Sequence, residues 1–225
     1  MLKAVIFDFD GVITDSEILH FRAFNEVLKQ YGVQLTTQEY YKTYLGFSDV
    51  DCFKRLIDEG RLAIGQNPIG ALVKRKTAVF ENLAKNEGKL IEGVRDFLAM
   101  LSANCIPMCI CSGALLPEIE ITLGDAGLRR YFETIVSAEQ VKKGKPHPEG
   151  FLLALEKLNA NRSKPIEPQQ CVVIEDSNWG LQAAKTAGMH TVAVTNSYDA
   201  AQLAAEKIVG NLAHLSLEDL QQLCA

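Results

Sequence analysis

Carboxylate side chains follow two short apolar runs of this sequence, and a serine hydroxyl follows a third. Asp8 and Asp10 come directly after an N-terminal run, and Ser112 follows a run near the middle of the chain. Glu175 and Asp176 follow a run in the C-terminal half. Such apolar, β-branched runs predict buried strands of a parallel sheet. Because ligands bind at the carboxyl ends of the strands in these sheets, we expect the polar groups to share one edge.

A lysine in a stiff loop completes this set of groups. Lys145 stands in the segment Gly144-Lys-Pro-His-Pro148, which no helix could accommodate because its prolines constrain the backbone and lack N–H groups. Carboxylates, a hydroxyl and an ammonium at one edge would bind a hard divalent cation and an anion together. Oxygen ligands suit Mg²⁺, which usually takes about one or two protein carboxylates and shares oxygens of a substrate phosphate. The set therefore predicts a magnesium site beside an anion site.

The elements that position these groups alternate along the chain. The apolar runs predict strands at residues 3–7, 106–111, 134–136, 171–174 and 191–194. Between them lie patterns with the spacing of a helix face. Strands that alternate with helices predict an α/β fold with a mainly parallel sheet.

The segment from 15 to 88 differs from the rest, since it contains only helical patterns. One helix is predicted to open at Thr36, with Glu39 at the spacing of a capping box, and another at Ser48. We therefore predict a discontinuous core that is interrupted after its first strand by an all-helical insert. The predicted core comprises residues 1–14 and 89–225.

Composition and charge exclude several classes of function. The chain has 225 residues, of which 48% are hydrophobic and 23% charged, so it is not a disordered chain. Its net charge of −5 argues against the broad basic surface of nucleic-acid-binding proteins. No apolar stretch approaches the roughly 18 residues of a membrane span, and the N-terminus does not resemble a signal peptide. We expect a cytoplasmic protein that binds neither nucleic acid nor membrane.

Four motifs resemble those of the haloacid dehalogenase-like hydrolase superfamily, subfamily I, in its β-phosphoglucomutase-like and CbbY-like phosphatase branch. They are Asp8-Phe-Asp-Gly-Val-Ile-Thr-Asp-Ser16, Ser112-Gly113, Lys145-Pro-His-Pro148 and the segment from Val173 to Met189. The likeness covers essentially the whole chain, and the insert falls where this branch has its helical cap. The resemblance implies a Rossmann-like core with an inserted helical cap domain, Mg²⁺ as cofactor, a monomer, and phosphoryl transfer through an aspartyl phosphate.

The resemblance also implies a role for each core residue. Asp8 matches the nucleophile, whose acyl phosphate is readily attacked by water. Asp10 matches the general acid/base, which protonates the leaving alcohol and then activates water. Ser112 and the Gly113 amide would donate hydrogen bonds to the transferring phosphoryl oxygens. Lys145 would neutralise charge on Asp8 and on the phosphoryl group.

The metal ligands follow from the same matches. Asp8, the backbone carbonyl of Asp10 and Asp176 would bind the metal, and Glu175 would bind it directly or support another ligand. The presence of Asp10 also argues against a dehalogenase within this superfamily. The resemblance implies that members acting on carbon–halogen bonds lack this second aspartate, since they have no alcohol to protonate.

Residues in and beside the insert are candidates for substrate binding, because the cap of this branch closes over the core, contacts the leaving group and excludes water. These candidates are Thr14, Glu17, His20, Gly46, Ser48 and Lys76. Gly46 and Ser48 precede a cap helix whose free N–H groups can hold an anion or a hydroxyl. Lys76 matches a lysine that many β-phosphoglucomutase-like members place towards the substrate. A solvated helix face for the Lys74–Lys76 run, and packing for His20, are the alternatives.

Two departures from the family pattern favour a phosphatase over a mutase. Mutase-like members usually carry an arginine that holds a second phosphate, where this chain has Asp49, which would repel it. Ala114 and Leu115 stand where related proteins often have more polar residues. We predict a Mg²⁺-dependent phosphatase of small phosphorylated metabolites, with sugar phosphates as the expected substrates. A sugar-phosphate mutase of the β-phosphoglucomutase type and a non-catalytic metabolite-binding protein are the alternatives.

Overall fold

The computed structural model describes residues 1–45, 47–65 and 68–225, which divide into two compact units. Residues 1–15 and 90–225 form the first, called here the core unit, and residues 16–89 form the second, called the helical unit. The sequence patterns predict both boundaries between the two units one residue earlier, after residue 14 and after residue 88. Among the described helices, none is both long enough and apolar enough to cross a bilayer.

Strands and helices alternate in the core unit, whereas the described part of the helical unit holds helices and turns. The strands are β1 (Ala4–Phe7), β2 (Met108–Cys111), β3 (Thr134–Val136), β4 (Cys171–Glu175), β5 (His190–Val194) and β6 (Lys207–Val209). The helices are α1 (Glu17–Leu28), α2 (Thr37–Thr43), α3 (Asp49–Asp58), α4 (Ile69–Glu87), α5 (Val94–Ala103), α6 (Leu116–Asp125), α7 (Glu149–Asn159), α8 (Asn178–Thr186) and α9 (Leu217–Leu223).

The core unit is built on a parallel sheet of six strands in the order β3-β2-β1-β4-β5-β6. In its register, Phe7 of β1 lies between Ile110 of β2 and Ile174 of β4. The predicted α/β class with a parallel sheet is confirmed. The edge strand β6 was not predicted, because Lys207-Ile-Val209 is too short and too polar at its start to show a pattern.

Alternate residues of the central strand pack on opposite faces of the sheet. Phe7 packs with Phe97 of α5, their ring centroids 6.1 Å apart, whereas Ile6 belongs to a second apolar cluster, which includes Phe151 of α7. Full burial of such side chains stabilises the fold by about 1.5–3 kcal/mol each. Helices therefore cover both faces of the sheet with apolar side chains. Polar side chains can stand at the carboxyl ends of β1, β2 and β4.

The helical unit has its own apolar core and its own capping residues. The Glu39 N–H donates to Thr36 Oγ1 at 3.1 Å, and the Asp51 N–H donates to Ser48 Oγ at 3.2 Å. These bonds satisfy N–H groups that a helix start leaves without a partner in the helix. The helix starts predicted after Thr36 and at Ser48 are thus confirmed. Phe24 is one of the buried side chains of this apolar core.

Candidate active site

Polar residues follow neighbouring strands at one edge of the core sheet. The Asp8 N–H, directly after β1, donates to the Ile174 carbonyl of β4 at 2.9 Å. The Ser112 N–H, directly after β2, donates to the Val136 carbonyl of β3 at 2.9 Å. Asp176 follows β4 in the same way. The ladder thus extends past the strand ends and holds the first residues of these loops in register.

Three buried carboxylates meet at this edge and share a lysine. Each of Asp8, Glu175 and Asp176 offers an oxygen, and these oxygens all lie within 4.8 Å of one another. Lys145 Nζ lies 2.7 Å from Asp8 Oδ1 and 2.5 Å from Glu175 Oε1. Residues from three separate parts of the sequence therefore form one charged cluster, as their positions at strand ends predict.

Both carboxylate oxygens of Glu175 are held by hydrogen-bond donors. Oε1 accepts from Lys145, while Oε2 accepts from the N–H groups of Asp176 and Ser177, both at 3.0 Å, and from Ser177 Oγ at 2.9 Å. Gly180 on α8 makes room for this carboxylate, since a Cβ at that position would overlap it. Glu175 is thus arranged to hold Lys145 and the loop after β4.

The Asp176 carboxylate is confined from two sides. Ser197 Oγ donates to Asp176 Oδ2, and a Cβ on Gly11 would overlap the same oxygen. Gly11 also has a φ of +75°, a backbone conformation that favours glycine. Asn196 Nδ2 donates to the Gly11 carbonyl at 2.7 Å. The loops after β1, β4 and β5 are therefore joined around Asp176.

The cluster carries more negative charge than Lys145 can balance. Burial raises the pKa of Asp8 to about 7, with Glu175 adding to the rise and Lys145 opposing it. Burial, followed by the charges of Glu175 and Asp8, also raises the pKa of Asp176. Burial opposes the charge of Lys145, but Asp8 and Glu175 outweigh it and raise the Lys145 pKa. Buried carboxylate oxygens in excess of cationic groups are a donor set that fits Mg²⁺.

The loop after β1 brings Asp10 back towards the edge of the sheet. The Gly11 N–H donates to the Thr14 carbonyl at 2.8 Å, and Asp10 forms an isolated bridge with Thr14. Thr14 forms a second bridge with Leu90, and its side chain is buried. The turn keeps Asp10 close to the end of β1, whereas the predicted substrate contact of Thr14 stays a prediction.

The serine after β2 is arranged as a hydrogen-bond donor. Ser112 is buried, and its Oγ accepts the Ala114 N–H at 2.9 Å. Accepting this bond uses a lone pair, so the hydroxyl hydrogen can still be donated to an anion. Gly113, whose amide is the other predicted donor, is exposed. The local geometry is compatible with the predicted anion site.

Two of the predicted substrate contacts, His20 and Lys76, lie together in the helical unit. Lys76 Nζ is 2.5 Å from His20 Nδ1 and 2.9 Å from Asp49 Oδ1, and it also faces the rings of Phe24 and Phe80. Lys76 is fully buried, so a solvated helix face is wrong for this residue. From the sequence, Asp49 is expected to repel a second phosphate through its negative charge. In the structure, the Asp49 carboxylate forms a salt bridge with Lys76.

Two other predicted substrate contacts of the helical unit, Glu17 and Ser48, form hydrogen bonds within that unit. Glu17 Oε1 accepts from the Tyr40 hydroxyl at 2.7 Å, and Ser48 Oγ both caps α3 and donates to Asp51 Oδ2 at 2.7 Å. Gly46 lies outside the described residues. Substrate contacts by Glu17, Gly46 and Ser48 therefore stay predictions.

Sequence reasoning missed four residues that support the acidic cluster: Gly11, Gly180, Asn196 and Ser197. A signal for two of them was available, because Asn196 and Ser197 come shortly after the strand predicted at 191–194, with only Thr195 between, and so belong to the same edge. The two glycines stand inside the first and fourth motifs, but the sequence does not show what they do. Their role depends on carboxylates that approach them only in the folded chain.

Three comparisons with known proteins agree with this geometry. Residues 5–194 match the family model described as haloacid dehalogenase-like hydrolase. A phosphorylated carbohydrates phosphatase of Thermotoga maritima is 32% identical over 192 residues, which are 85% of this chain and 84% of the relative. The phosphate complex of CbbY from Rhodobacter sphaeroides has a TM-score of 0.89 at 27% identity, covering 98% of this chain and 100% of that one. A β-phosphoglucomutase from Clostridium difficile has a TM-score of 0.84 at 26% identity, covering 100% and 97%.

Proposed function

Because the chain belongs to the haloacid dehalogenase-like hydrolase family, we propose that it is a Mg²⁺-dependent phosphatase of small phosphorylated metabolites, with sugar phosphates as its substrates. The cluster of Asp8, Glu175 and Asp176 in contact with Lys145 carries this proposal. Buried charges are costly unless they are paired or bind a metal, and here the carboxylates outnumber the lysine. A divalent cation would balance this excess negative charge and, together with Lys145, would attract the anionic oxygens of a phosphate monoester.

Asp8 and Asp10 would carry out the covalent chemistry. A carboxylate oxygen of Asp8 attacks phosphorus and forms an aspartyl phosphate, while Asp10 gives a proton to the leaving alcohol oxygen. Asp10 then takes a proton from the water that hydrolyses the acyl phosphate, which regenerates Asp8 and releases inorganic phosphate. Asp8, Asp176 and the Asp10 carbonyl would hold Mg²⁺, which when bound neutralises charge on the phosphoryl oxygens.

The remaining core residues would stabilise charge on the transferring group. Lys145 places its ammonium against Asp8, where the phosphoryl oxygens would arrive, and Glu175 keeps that ammonium in place. The Ser112 hydroxyl and the Gly113 amide would donate to the same oxygens. Because phosphoryl transfer depends on positioning and electrostatics, these fixed donors would account for a large part of the rate.

A mutase of the β-phosphoglucomutase type is the second candidate, since such an enzyme has a closely similar fold. A mutase must also hold a second phosphate, which needs a positive charge. In the helical unit the positive charge of Lys76 is compensated by Asp49. This pair favours substrates with a single phosphate, and therefore hydrolysis.

Phosphate release from a panel of sugar phosphates, with and without Mg²⁺, tests the proposal. We expect Mg²⁺-dependent release that Asp8→Asn abolishes, whereas the exposed Asp125→Asn, which makes the same chemical change, leaves it intact. Phosphate release that survives in Asp8→Asn would refute the assignment of Asp8 as the nucleophile. Isomerisation of glucose 1-phosphate without net phosphate release, followed by ³¹P NMR, would favour the mutase. Metabolite binding without any turnover would favour a non-catalytic binding protein.

A further inference from the structure

The segment that follows β5 reaches two other loops of the core unit. Asn196 Nδ2 donates to the Gly11 carbonyl at 2.7 Å, and Ser197 Oγ donates to Asp176 Oδ2. Gly11 belongs to the loop after β1 and Asp176 to the loop after β4. Neither Asn196 nor Ser197 has a role in the chemistry proposed above, yet each contacts a loop that carries part of it.

The contact with Ser197 restricts the rotation of the Asp176 carboxylate. The terminal torsion of an aspartate side chain is broad, so an isolated carboxylate samples many orientations. Here a Cβ built on Gly11 would lie 3.1 Å from Ser197 Oγ and would overlap Asp176 Oδ2, so the three residues are tightly packed. By holding Oδ2, Ser197 fixes the carboxylate plane and with it the direction of Oδ1.

The chemical nature of the donor matters as well. Lys145, which contacts Asp8 and Glu175, brings a positive charge to the cluster. Ser197 is neutral, so it orients Asp176 without reducing the negative charge that attracts a cation. A basic residue in its place would compete with a metal ion for the same carboxylate. A hydroxyl is therefore the kind of partner that orients a metal ligand and leaves its charge available.

We propose that Ser197 is a positioning residue that orients Asp176 for divalent-cation binding, and that Asn196 holds the Gly11 turn against the same carboxylate. The inference rests on the proposed function, because it takes Asp176 as a metal ligand. It adds the loop after β5 as a third support of the metal site, beside the loops after β1 and β4.

Mg²⁺ titration of the full chain, prepared without metal, tests this role independently of turnover. Partners of metal ligands typically contribute about 10–100-fold to metal affinity, so Ser197→Ala should weaken the Mg²⁺ affinity by that factor in calorimetry. Ser197→Thr keeps a hydroxyl and should restore most of the affinity. Ser163→Ala removes a hydroxyl from an exposed residue in the connection before β4 and should leave the affinity unchanged.

The melting temperature of each metal-free variant separates positioning from packing. We expect the metal-free Ser197→Ala protein to melt only slightly below the wild type, since the change removes one hydrogen bond to a buried carboxylate and leaves the apolar core intact. Unchanged Mg²⁺ affinity in Ser197→Ala would overturn the inference, as would weakened affinity with a matching loss of metal-free stability and no rescue by threonine. A wild-type chain that binds no Mg²⁺ would overturn the proposed function together with this inference.

Discussion

Removal of the Lys145 ammonium should destabilise the core unit to an extent that depends on pH. This ammonium lies 2.7 Å from Asp8 and 2.5 Å from Glu175. Lys145→Ala leaves both carboxylates buried without that counter-charge. The same substitution removes a donor proposed to stabilise the transferring phosphoryl group. Stability and activity should therefore both fall, for related electrostatic reasons.

The size of the effect follows from the burial of the ion pairs. Breaking a buried pair by removing one partner costs about 3–5 kcal/mol. The Lys145 side chain is 18% exposed while that of Glu175 is fully buried, so the lower end applies. A loss of about 3 kcal/mol in a protein of this length corresponds to a fall in melting temperature of about 6–12 °C.

The dependence on pH gives the sharper test. Burial raises the pKa of Asp8 to about 7 although Lys145 opposes the rise, so removing Lys145 raises the pKa further. A carboxyl group whose pKa is higher in the folded than in the unfolded state takes up a proton on folding, which stabilises the fold as the pH falls. The cost of Lys145→Ala should therefore be larger at about pH 8.5 than at about pH 6, where Asp8 of both folded proteins is mostly protonated.

Thermal unfolding of the metal-free protein at both pH values, followed by circular dichroism, measures this effect. Lys143→Ala is the matched control, because Lys143 is exposed in the same loop and should change neither value. Saturating Mg²⁺ should restore part of the lost stability of Lys145→Ala, while phosphate release stays about 10²–10³-fold below the wild type. A fall in melting temperature that is the same at both pH values would refute the electrostatic explanation.

Three further predictions concern packing, metal affinity and the helical unit. Gly180→Ala should destabilise the protein by about 2–3 kcal/mol in urea unfolding, because the added Cβ would overlap the Glu175 carboxylate. The Mg²⁺ affinity measured by calorimetry should fall about tenfold from pH 8 to pH 6, since burial raises the pKa of Asp8 to about 7 and metal binding needs its ionised form. Asp49→Leu should cost about 3–5 kcal/mol in urea unfolding because it removes a carboxylate that forms a salt bridge with the buried Lys76 ammonium, and adding Lys76→Met should recover most of this loss.

Each of these predictions has a contradicting outcome. Gly124→Ala is the control for the first prediction, because Gly124 lies on α6 with open space beside it. This substitution should raise the free energy of unfolding by about 0.5–1 kcal/mol. A similar loss at both glycines would contradict overlap as the cause. Mg²⁺ affinity that does not change with pH would contradict the second prediction. A double variant less stable than Asp49→Leu alone would contradict the third.

The core chemistry was predictable because its signals are local. Asp8 and Ser112 directly follow apolar runs, and the end of such a run is visible in the sequence. Parallel strands point the same way, so residues after their ends meet at one edge whatever the strand order. The α/β class and the grouping of Asp8 and Asp176 could be anticipated on this basis.

Other features were hidden because their signals are not local. The ion pair of Asp49 with Lys76 joins the start of α3 to the middle of α4, and the sequence alone suggested a repulsive Asp49 and an exposed or substrate-facing Lys76. The role of Ser197 is not visible in the sequence, because a serine in a polar loop is common and carries no signal of its own. Its importance comes from the carboxylate of Asp176, which it meets only after β4 and β5 have paired.

The sequence by itself determined which chemical groups stand at the strand ends, because the pattern of apolar runs sets where each strand stops. It also determined that acidic groups would gather there beside a lysine. Only the tertiary structure decided which of these groups touch: Lys145 bridges Asp8 and Glu175, and Ser197 holds Asp176. Such contacts depend on strand order, register and the space left by glycines, which arise from packing between distant segments.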